Sequence, residues 1–198
     1  MLSRNRWDFY FGARIFMKEC FMDIYEALET DHREIQHILE QLMTLSDANS
    51  MERTRLLARL RDELVPHSRA EEAIFYNSLR SLDHTKDLAL HGYKDHIQAE
   101  ALLRLLQVED VTGMQWMDTI IKLRDALENH IAEEEAMMFD AARENFTQEE
   151  AEMFGHAFEE LKHKIRDESF FENTLQMVAN MMPPRFSQLF RGSQTPHI

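Results

Sequence analysis

Glycine and proline are scarce across the middle of this chain of 198 residues, and that scarcity restricts the folds it can adopt. Between Met22 and Asp167 they occur only as Gly92, Gly113, Gly155 and Pro66. Since no sustained period-two alternation occurs either, strands and hairpins are disfavoured and helices are predicted throughout. Apolar residues do recur at helical spacing, at Ile24, Leu28, Ile35, Leu39 and Leu42 and again at Leu56, Leu57, Leu60 and Leu64.

The spacing predicts four long helices, at residues 22–46, 51–82, 86–107 and 113–145. The breaks between them are short, so neighbouring helices must run antiparallel. A fifth helix is expected from Thr147, where Thr147 and Glu150 form a capping box, to about Ile165. The predicted fold class is therefore all-α, an up-down-up-down antiparallel four-helix bundle with an additional C-terminal helix and tail.

Four segments are expected along the chain. The stretch beginning at Met22 resembles the natural start of a chain, so residues 1–21 are interpreted as an N-terminal extension. The four-helix bundle occupies residues 22–145 and the fifth helix residues 146–168. Residues 169–198 form a tail rich in Phe and Met, which either docks on the bundle or contacts a protein partner or a second copy of the chain.

Charge and cysteine content exclude several classes of function. The chain has 22 Lys plus Arg against 36 Asp plus Glu, a formal charge of −14, which opposes binding to nucleic acid or to an anionic membrane. Charged residues interrupt every apolar run before it reaches the ~20 residues that span a bilayer. The single cysteine, Cys20, excludes an internal disulfide framework and cysteine-rich metal sites. A cytoplasmic location is therefore expected.

Histidine and glutamate recur in an ordered, duplicated pattern. His67 and Glu71 are four residues apart, as are His130 and Glu134, and residues four apart share one face of a helix. An Asp-His pair precedes each motif: His32 lies 35 positions before His67, and His96 lies 34 positions before His130. Each half of the bundle thus becomes a helical hairpin with one histidine on its first helix and a His-x-x-x-Glu motif on its second.

Helix lengths predict that these residues meet at one level of the bundle. From His32 the chain runs about 14 residues to its turn and returns about 16 residues to His67. At a rise of ~1.5 Å per residue, the two histidines therefore lie at nearly equal height along the bundle. The second hairpin, with about 11 residues out and about 17 back, agrees within the error of the boundaries. Two buried carboxylates without compensation would destabilise the fold, so metal ions explain their place in the interior.

The order His, His-x-x-x-Glu, His, His-x-x-x-Glu over about residues 22–145 resembles the hemerythrin-like, or HHE cation-binding, domain family. The resemblance implies a di-iron centre, free of haem, in which histidines bind each iron and two carboxylates bridge them. Imidazole with carboxylate suits manganese and zinc equally well, so iron rests on the resemblance. By position, the implied metal ligands are His32, His67, Glu71, His96, His130 and Glu134.

Two departures separate the chain from the oxygen-carrying hemerythrins. Those proteins have a further histidine four residues before His96, where this chain has Gly92, and an Asp five residues after His130, where it has Glu135. Fewer protein ligands leave coordination positions open to oxygen, nitric oxide, peroxide or water. The chain is therefore expected to bind oxygen or a related diatomic molecule, or iron itself, for sensing, storage or redox protection.

Two other functions remain open on the sequence alone. One is a di-iron oxidoreductase that acts on nitric oxide or peroxide, or that donates iron for repair of iron–sulfur clusters. The other is a metal-free helical adaptor whose tail, rich in Phe and Met, binds another protein. No organic cofactor and no catalytic residue is assigned.

Acidic residues near the motifs receive separate interpretations. Glu100 completes a third His-x-x-x-Glu with His96 and is either a ligand or a solvated acid. Glu72 and Glu135 lie about 140° around an ideal helix from their histidines and are interpreted as surface acids. Asp31 and Asp95 are expected to act as acceptors that orient ligating imidazoles, although they point sideways from their own histidine neighbours.

Overall fold

The computed structural model describes residues 22–166. Its helices are α1 Ile24–Thr44, α2 Ser50–Glu71, α3 Asn77–Arg80, α4 Lys86–Val108, α5 Met114–Glu133, α6 Phe139–Asn145 and α7 Gln148–Arg166. Two π-helical turns, Glu72–Tyr76 and Glu134–Met138, join α2 to α3 and α5 to α6, so each of these pairs runs as one long helix. The predicted extension at residues 1–21 and the tail at residues 169–198 lie outside the described residues.

The four long helices pack as an antiparallel bundle, which confirms the predicted fold class. The first hairpin pairs α1 with α2, the second pairs α4 with α5, and the hairpins meet through α1 against α5 and α2 against α4. The fifth long helix, α7, packs mainly on α1 and α2. Within residues 22–166 there is no strand, and none of the helices there combines the length and the apolar character that a transmembrane span requires.

Side-chain caps define where the first and last helices begin. Asp23 caps α1 by accepting a hydrogen bond from the backbone N–H of Glu26 at 3.0 Å. At the start of α7 the Glu150 N–H donates to Thr147 Oγ1 at 3.2 Å, and the Thr147 N–H donates to Glu150 Oε2 at 3.0 Å. These reciprocal bonds confirm the predicted capping box.

The apolar interior consists of two clusters separated by a polar layer. The aromatic cluster includes Phe75, Phe139, Phe154 and Phe158, together with Ile24 and Leu28. The leucine cluster includes Leu39, Leu60, Leu103, Trp116 and Ile120. On α1, for example, the buried His32 lies between Leu28 of the first cluster and Ile35 of the second. The same succession on the other long helices places all of the buried histidines in a single layer across the bundle.

Candidate metal centre

Six buried side chains from four long helices meet in this polar layer. Each of them is at most 4% exposed. They are the six residues named from the sequence: His32, His67, Glu71, His96, His130 and Glu134. The structure therefore brings all six predicted side chains together.

The four imidazoles form two pairs. His32 and His67 have ring centroids 5.1 Å apart, and those of His96 and His130 are 4.8 Å apart. Together with Glu71, each pair presents ligand-type atoms that all lie within 4.8 Å of one another. The layer thus contains two adjacent positions at which a cation would meet two imidazoles and a carboxylate.

The two glutamates each face both imidazole pairs. Glu71 Oε2 lies 3.5 Å from Nε2 of His67 and 3.2 Å from Nε2 of His96. Glu134 Oε2 lies 3.6 Å from Nε2 of His32 and 3.4 Å from Nε2 of His130. Both carboxylates are therefore located where they could bridge two cations.

A second set of carboxylates holds the outer nitrogen of every imidazole. Because a carboxylate only accepts, each Nδ1–H is the donor. The four bonds run from His67 to Asp31 at 3.2 Å, from His96 to Glu72 at 3.1 Å, from His130 to Asp95 at 3.3 Å and from His32 to Glu135 at 2.8 Å. Each acid is the sequence neighbour of one candidate ligand and binds a histidine on a different helix, so the contacts form a closed ring around the bundle.

This ring corrects the interpretation of Glu72 and Glu135 as surface acids. Their side chains are 17% and 38% exposed, and both are bound to a buried imidazole. The interpretation considered only the angle to the histidine of the same helix, whereas both acids reach sideways to an imidazole of the next helix, as Asp31 and Asp95 do. Asp31 and Asp95 do orient imidazoles as expected, although the imidazole lies on the next helix.

The inner face of the layer has unsatisfied polar atoms. Since each Nδ1 carries the proton, each Nε2 turns a lone pair toward the carboxylates. Both oxygens of Glu71, both oxygens of Glu134 and Nε2 of His32 lack a hydrogen-bond partner among residues 22–166. Lone pairs that face lone pairs in a buried layer are stabilised by cations, and imidazole nitrogen with carboxylate oxygen is a donor set for iron, manganese or zinc. The residues present therefore fit a metal centre.

Burial shifts the pKa values of the carboxyl and imidazole groups in the layer, and a bound metal would oppose the shift of the carboxyl groups. It raises the pKa of Glu71 to about 7 and the pKa of Glu134 well above its ordinary value. It lowers the pKa of His67 to about 3, which keeps this imidazole neutral and able to bind a cation. A bound cation favours the ionised carboxylates that burial alone disfavours.

Tyr76 is a member of the site that sequence reasoning missed. Its hydroxyl lies 3.5 Å from Nε2 of His96 and 3.4 Å from Nε2 of His130. Tyr76 follows His67 by nine residues, and the residue nine after His130 is Phe139, so the two repeats differ here by one hydroxyl. A tyrosine in one repeat where the other has a phenylalanine was the sequence signal that could have pointed to Tyr76.

Glu100 and His91 are not among the six inner side chains. Glu100 accepts hydrogen bonds from Arg69 at 2.7 Å and from Arg104 at 2.6 Å, so it has cationic partners at the surface. His91 is half exposed and forms a group with the partly buried Asp95 and the half-exposed Glu133. These three residues line a cleft of about 220 Å³ that His130 also lines.

The fold and its buried layer define a helical bundle of the cation-binding class. The chain belongs to the hemerythrin HHE cation binding domain family, which matches residues 23–142. In the crystal structure of a hemerythrin HHE cation binding domain-containing protein from Mycobacterium kansasii the fold is similar, with a TM-score of 0.66 and 23% identity. That match covers 85% of this chain and 99% of the other.

A curated relative is much longer than this chain. It is named a DNA nickase, comes from a Nostoc species, and is 24% identical over 148 residues. The match covers 73% of this chain but only 40% of the relative. The shared region therefore leaves most of the nickase unmatched.

Proposed function

We propose that this chain is a di-iron protein that binds oxygen or a related diatomic molecule for sensing, storage or redox protection. The observation that supports it best is the set of inward-facing nitrogen and oxygen atoms without partners in the described structure. His32 and His67 would hold one iron, His96 and His130 the other. The two glutamates that face both pairs, Glu71 and Glu134, would bridge the irons.

Tyr76 supports binding of a small molecule in addition to metal. Iron, when bound, supplies affinity for diatomic ligands and one-electron chemistry. The Tyr76 hydroxyl is buried beside His96 and His130, where it can donate a hydrogen bond to a ligand at that position. The apolar clusters on both sides of the layer keep bulk water away from such a ligand.

We infer that metal ions and ligand enter the layer from the cleft beside His130. Asp95 and Glu133 line it together with His91, and the whole chain carries a charge of −14. A negative rim attracts metal cations and disfavours anions, while neutral diatomic molecules are unaffected. The cleft therefore suits entry of the metal ions and of an uncharged ligand.

A di-iron oxidoreductase acting on nitric oxide or peroxide is the second candidate. The observation that favours it is again Tyr76, since its hydroxyl is a proton donor inside the layer. Turnover of peroxide or nitric oxide by the iron-loaded protein with an electron donor distinguishes this candidate from a binding protein. Stoichiometric binding without turnover would exclude it.

Nicking of DNA is not carried over from the longer relative. The chain spans 40% of that protein's length, and a net charge of −14 opposes contact with phosphates. We propose that this chain has no nucleic-acid partner.

Iron content tests the proposed function. We expect two irons per chain after anaerobic reconstitution of the wild type, with near-ultraviolet absorption from the centre. The combined substitution Glu71→Gln and Glu134→Gln should remove both irons. Glu100→Gln is the matched control, because it has the same spacing from a histidine but pairs with Arg69 and Arg104. A folded wild type that takes up no iron would instead support the metal-free adaptor.

A further inference from the structure

The two imidazole pairs are supported differently on their outer side. Asp31 and Asp95 occupy matched places in the two repeats, and each accepts a hydrogen bond from the histidine of the next helix, His67 and His130 respectively. Beyond that shared bond their partners differ. Asp31 is bound by Lys162 of α7, whereas Asp95 is paired with His91 of its own helix.

Lys162 is a buried cation with fixed partners. It is 5% exposed, and its Nζ donates to Asp31 Oδ1 at 2.7 Å and to Oδ2 at 2.8 Å. A third bond, at 2.9 Å, reaches Glu159 one turn earlier on α7. Because both oxygens of Asp31 are held, its carboxylate cannot rotate freely, and the Nδ1–H of His67 keeps a fixed acceptor.

The same helix also contacts the ring of His67 directly. Phe158 meets it edge to face, with ring centroids 5.8 Å apart, and Lys162 Nζ lies 4.9 Å from the centre of the Phe158 ring. The second repeat has a looser arrangement: His91 is half exposed and its Nε2 lies 3.6 Å from Asp95 Oδ2. The fifth helix therefore holds one imidazole pair through a buried cation. In the other pair, the carboxylate that accepts from His96, Glu72, is held, among the described residues, only by the half-exposed Arg69 at 3.2 Å.

We propose that Lys162 is a positioning residue: acting through Asp31, it fixes the imidazole of His67 and so selectively strengthens metal binding at the position of His32 and His67. This inference rests on the proposed function, since it needs a metal at each pair. It gives α7, which lies outside the four-helix bundle, a role in the centre. It also makes the two metal positions unequal in affinity despite their matched ligands.

Stepwise titration of cobalt(II) into the metal-free, full-length protein tests the proposal. The wild type should show two binding steps with visible absorption. Lys162→Met should weaken one step by up to about 10- to 100-fold, the range for losing a hydrogen-bond partner of a metal ligand such as Asp31, and leave the other within about threefold. His91→Ala removes the matched partner of Asp95, but this partner is half exposed and 3.6 Å away, so both steps should stay within about threefold. Lys162→Arg keeps a cation beside Asp31 and should recover most of the loss.

Two further variants assign the weakened step to its position. With His130→Ala in the background, only the position of His32 and His67 keeps both imidazoles, and Lys162→Met should still reduce cobalt affinity. With His67→Ala in the background, the effect of Lys162→Met should disappear. Asp31→Asn provides a route independent of α7 packing, and we expect it to cause the same selective loss.

Several outcomes would overturn the inference. Equal weakening of both steps by Lys162→Met, or no recovery with Lys162→Arg in a protein of unchanged circular dichroism, would show that α7 acts only on overall stability. If Lys162→Met does not fold, Asp31→Asn with unchanged cobalt binding would contradict the inference by itself. A folded wild type that binds no cobalt would overturn the proposed function, whereas two wild-type steps with no selective effect would overturn this inference alone.

Discussion

A Cβ atom built on Gly92 would lie 2.6 Å from Cζ of Tyr76, with the Tyr76 hydroxyl oxygen only 2.8 Å away. The absence of a side chain on α4 therefore makes room for the phenol that reaches His96 and His130. The position at which oxygen-carrying hemerythrins have a histidine is thus filled in space by a tyrosine from the second long helix. The departure from the family pattern at Gly92 is therefore what allows Tyr76 to reach the layer.

Substitution Gly92→Ala should destabilise the protein and displace Tyr76. The ring is buried and cannot yield without moving its neighbours, so we expect a loss of about 1–3 kcal/mol in the free energy of unfolding. Urea denaturation measures it. Gly113→Ala is the control: its Cβ would lie 3.1 Å from the Asp110 carbonyl oxygen at the exposed start of α5, and we expect a change below about 1 kcal/mol. Equal stability of Gly92→Ala and wild type would contradict the tight contact.

Substitution Tyr76→Phe should keep the fold and the iron but weaken ligand binding. Loss of one hydrogen bond inside a dry site corresponds to about 1 kcal/mol, or roughly a fivefold rise in the dissociation constant for nitric oxide. Stopped-flow absorption of the iron-loaded, reduced protein measures this. Tyr25→Phe removes a buried hydroxyl away from the layer and should leave nitric oxide binding unchanged. Identical binding by Tyr76→Phe and wild type would remove Tyr76 from the ligand site.

Substitution of Glu71 and Glu134 by glutamine should stabilise the metal-free protein while abolishing iron binding. Both carboxylates are buried, and none of their oxygens has a hydrogen-bond partner in the described part of the chain. Replacing an uncompensated acid with a neutral amide should raise the free energy of unfolding by about 1–3 kcal/mol. Thermal unfolding in the presence of a chelator measures this. A metal-free double variant less stable than wild type would show that the acids are satisfied without cations.

Tyr25 and Tyr93 should respond in opposite directions to removal of the hydroxyl. The Tyr25 hydroxyl is buried without a partner among the described residues, whereas that of Tyr93 donates to the Glu72 carbonyl at 2.9 Å and to Asn77 Oδ1 at 3.1 Å. We expect Tyr25→Phe to stabilise and Tyr93→Phe to destabilise the protein, each by about 1 kcal/mol in urea denaturation at neutral pH.

The stabilisation by Tyr25→Phe should grow in alkali. Burial raises the pKa of Tyr25 to about 12, above the value of about 10 in the unfolded chain. The folded wild type then holds a proton that the unfolded chain has lost, so its stability falls as pH rises from 10 through 12. The difference between wild type and Tyr25→Phe should therefore widen over that range. A constant difference would place the Tyr25 hydroxyl in contact with water.

Substitution Glu135→Gln should weaken metal binding through His32. An amide in place of the carboxylate that accepts from His32 Nδ1 should lower affinity at that position by about 10- to 100-fold. Cobalt titration measures the loss. Glu133→Gln alters an acid nearby in sequence that pairs with exposed His91 instead, and it should have little effect. Similar behaviour of the two variants would argue against the ring of outer carboxylates.

Much of the fold followed from the sequence because its signals are local and periodic. Helical spacing of leucine and isoleucine, together with few glycines, predicted the long helices, and Thr147 with Glu150 marked the start of α7. The six inner residues were identifiable because duplicated spacing on helices of matched length fixes their height. Whether they bind metal is still a prediction.

The parts that escaped prediction depend on contacts between helices. Glu72 and Glu135 were assigned to the surface from their angle to the histidine of their own helix, but their partners are His96 and His32 on neighbouring helices. Tyr76 belongs to no motif, and its place is set by the missing side chain at Gly92 across the helix interface. Lys162 reaches Asp31 from a helix far away in the sequence, so no spacing rule links them.

The polar layer between the aromatic and leucine clusters affects how cooperatively the protein unfolds. Neither cluster continues across the layer, so without cations the two ends of the bundle are coupled chiefly through the helix backbones and through buried polar groups whose inner atoms lack hydrogen-bond partners among the described residues. Such a molecule should melt in a broad transition, one end loosening before the other. Metal ions would join the two ends into one cooperative unit, so that the sharpness of melting itself would report whether the centre is filled.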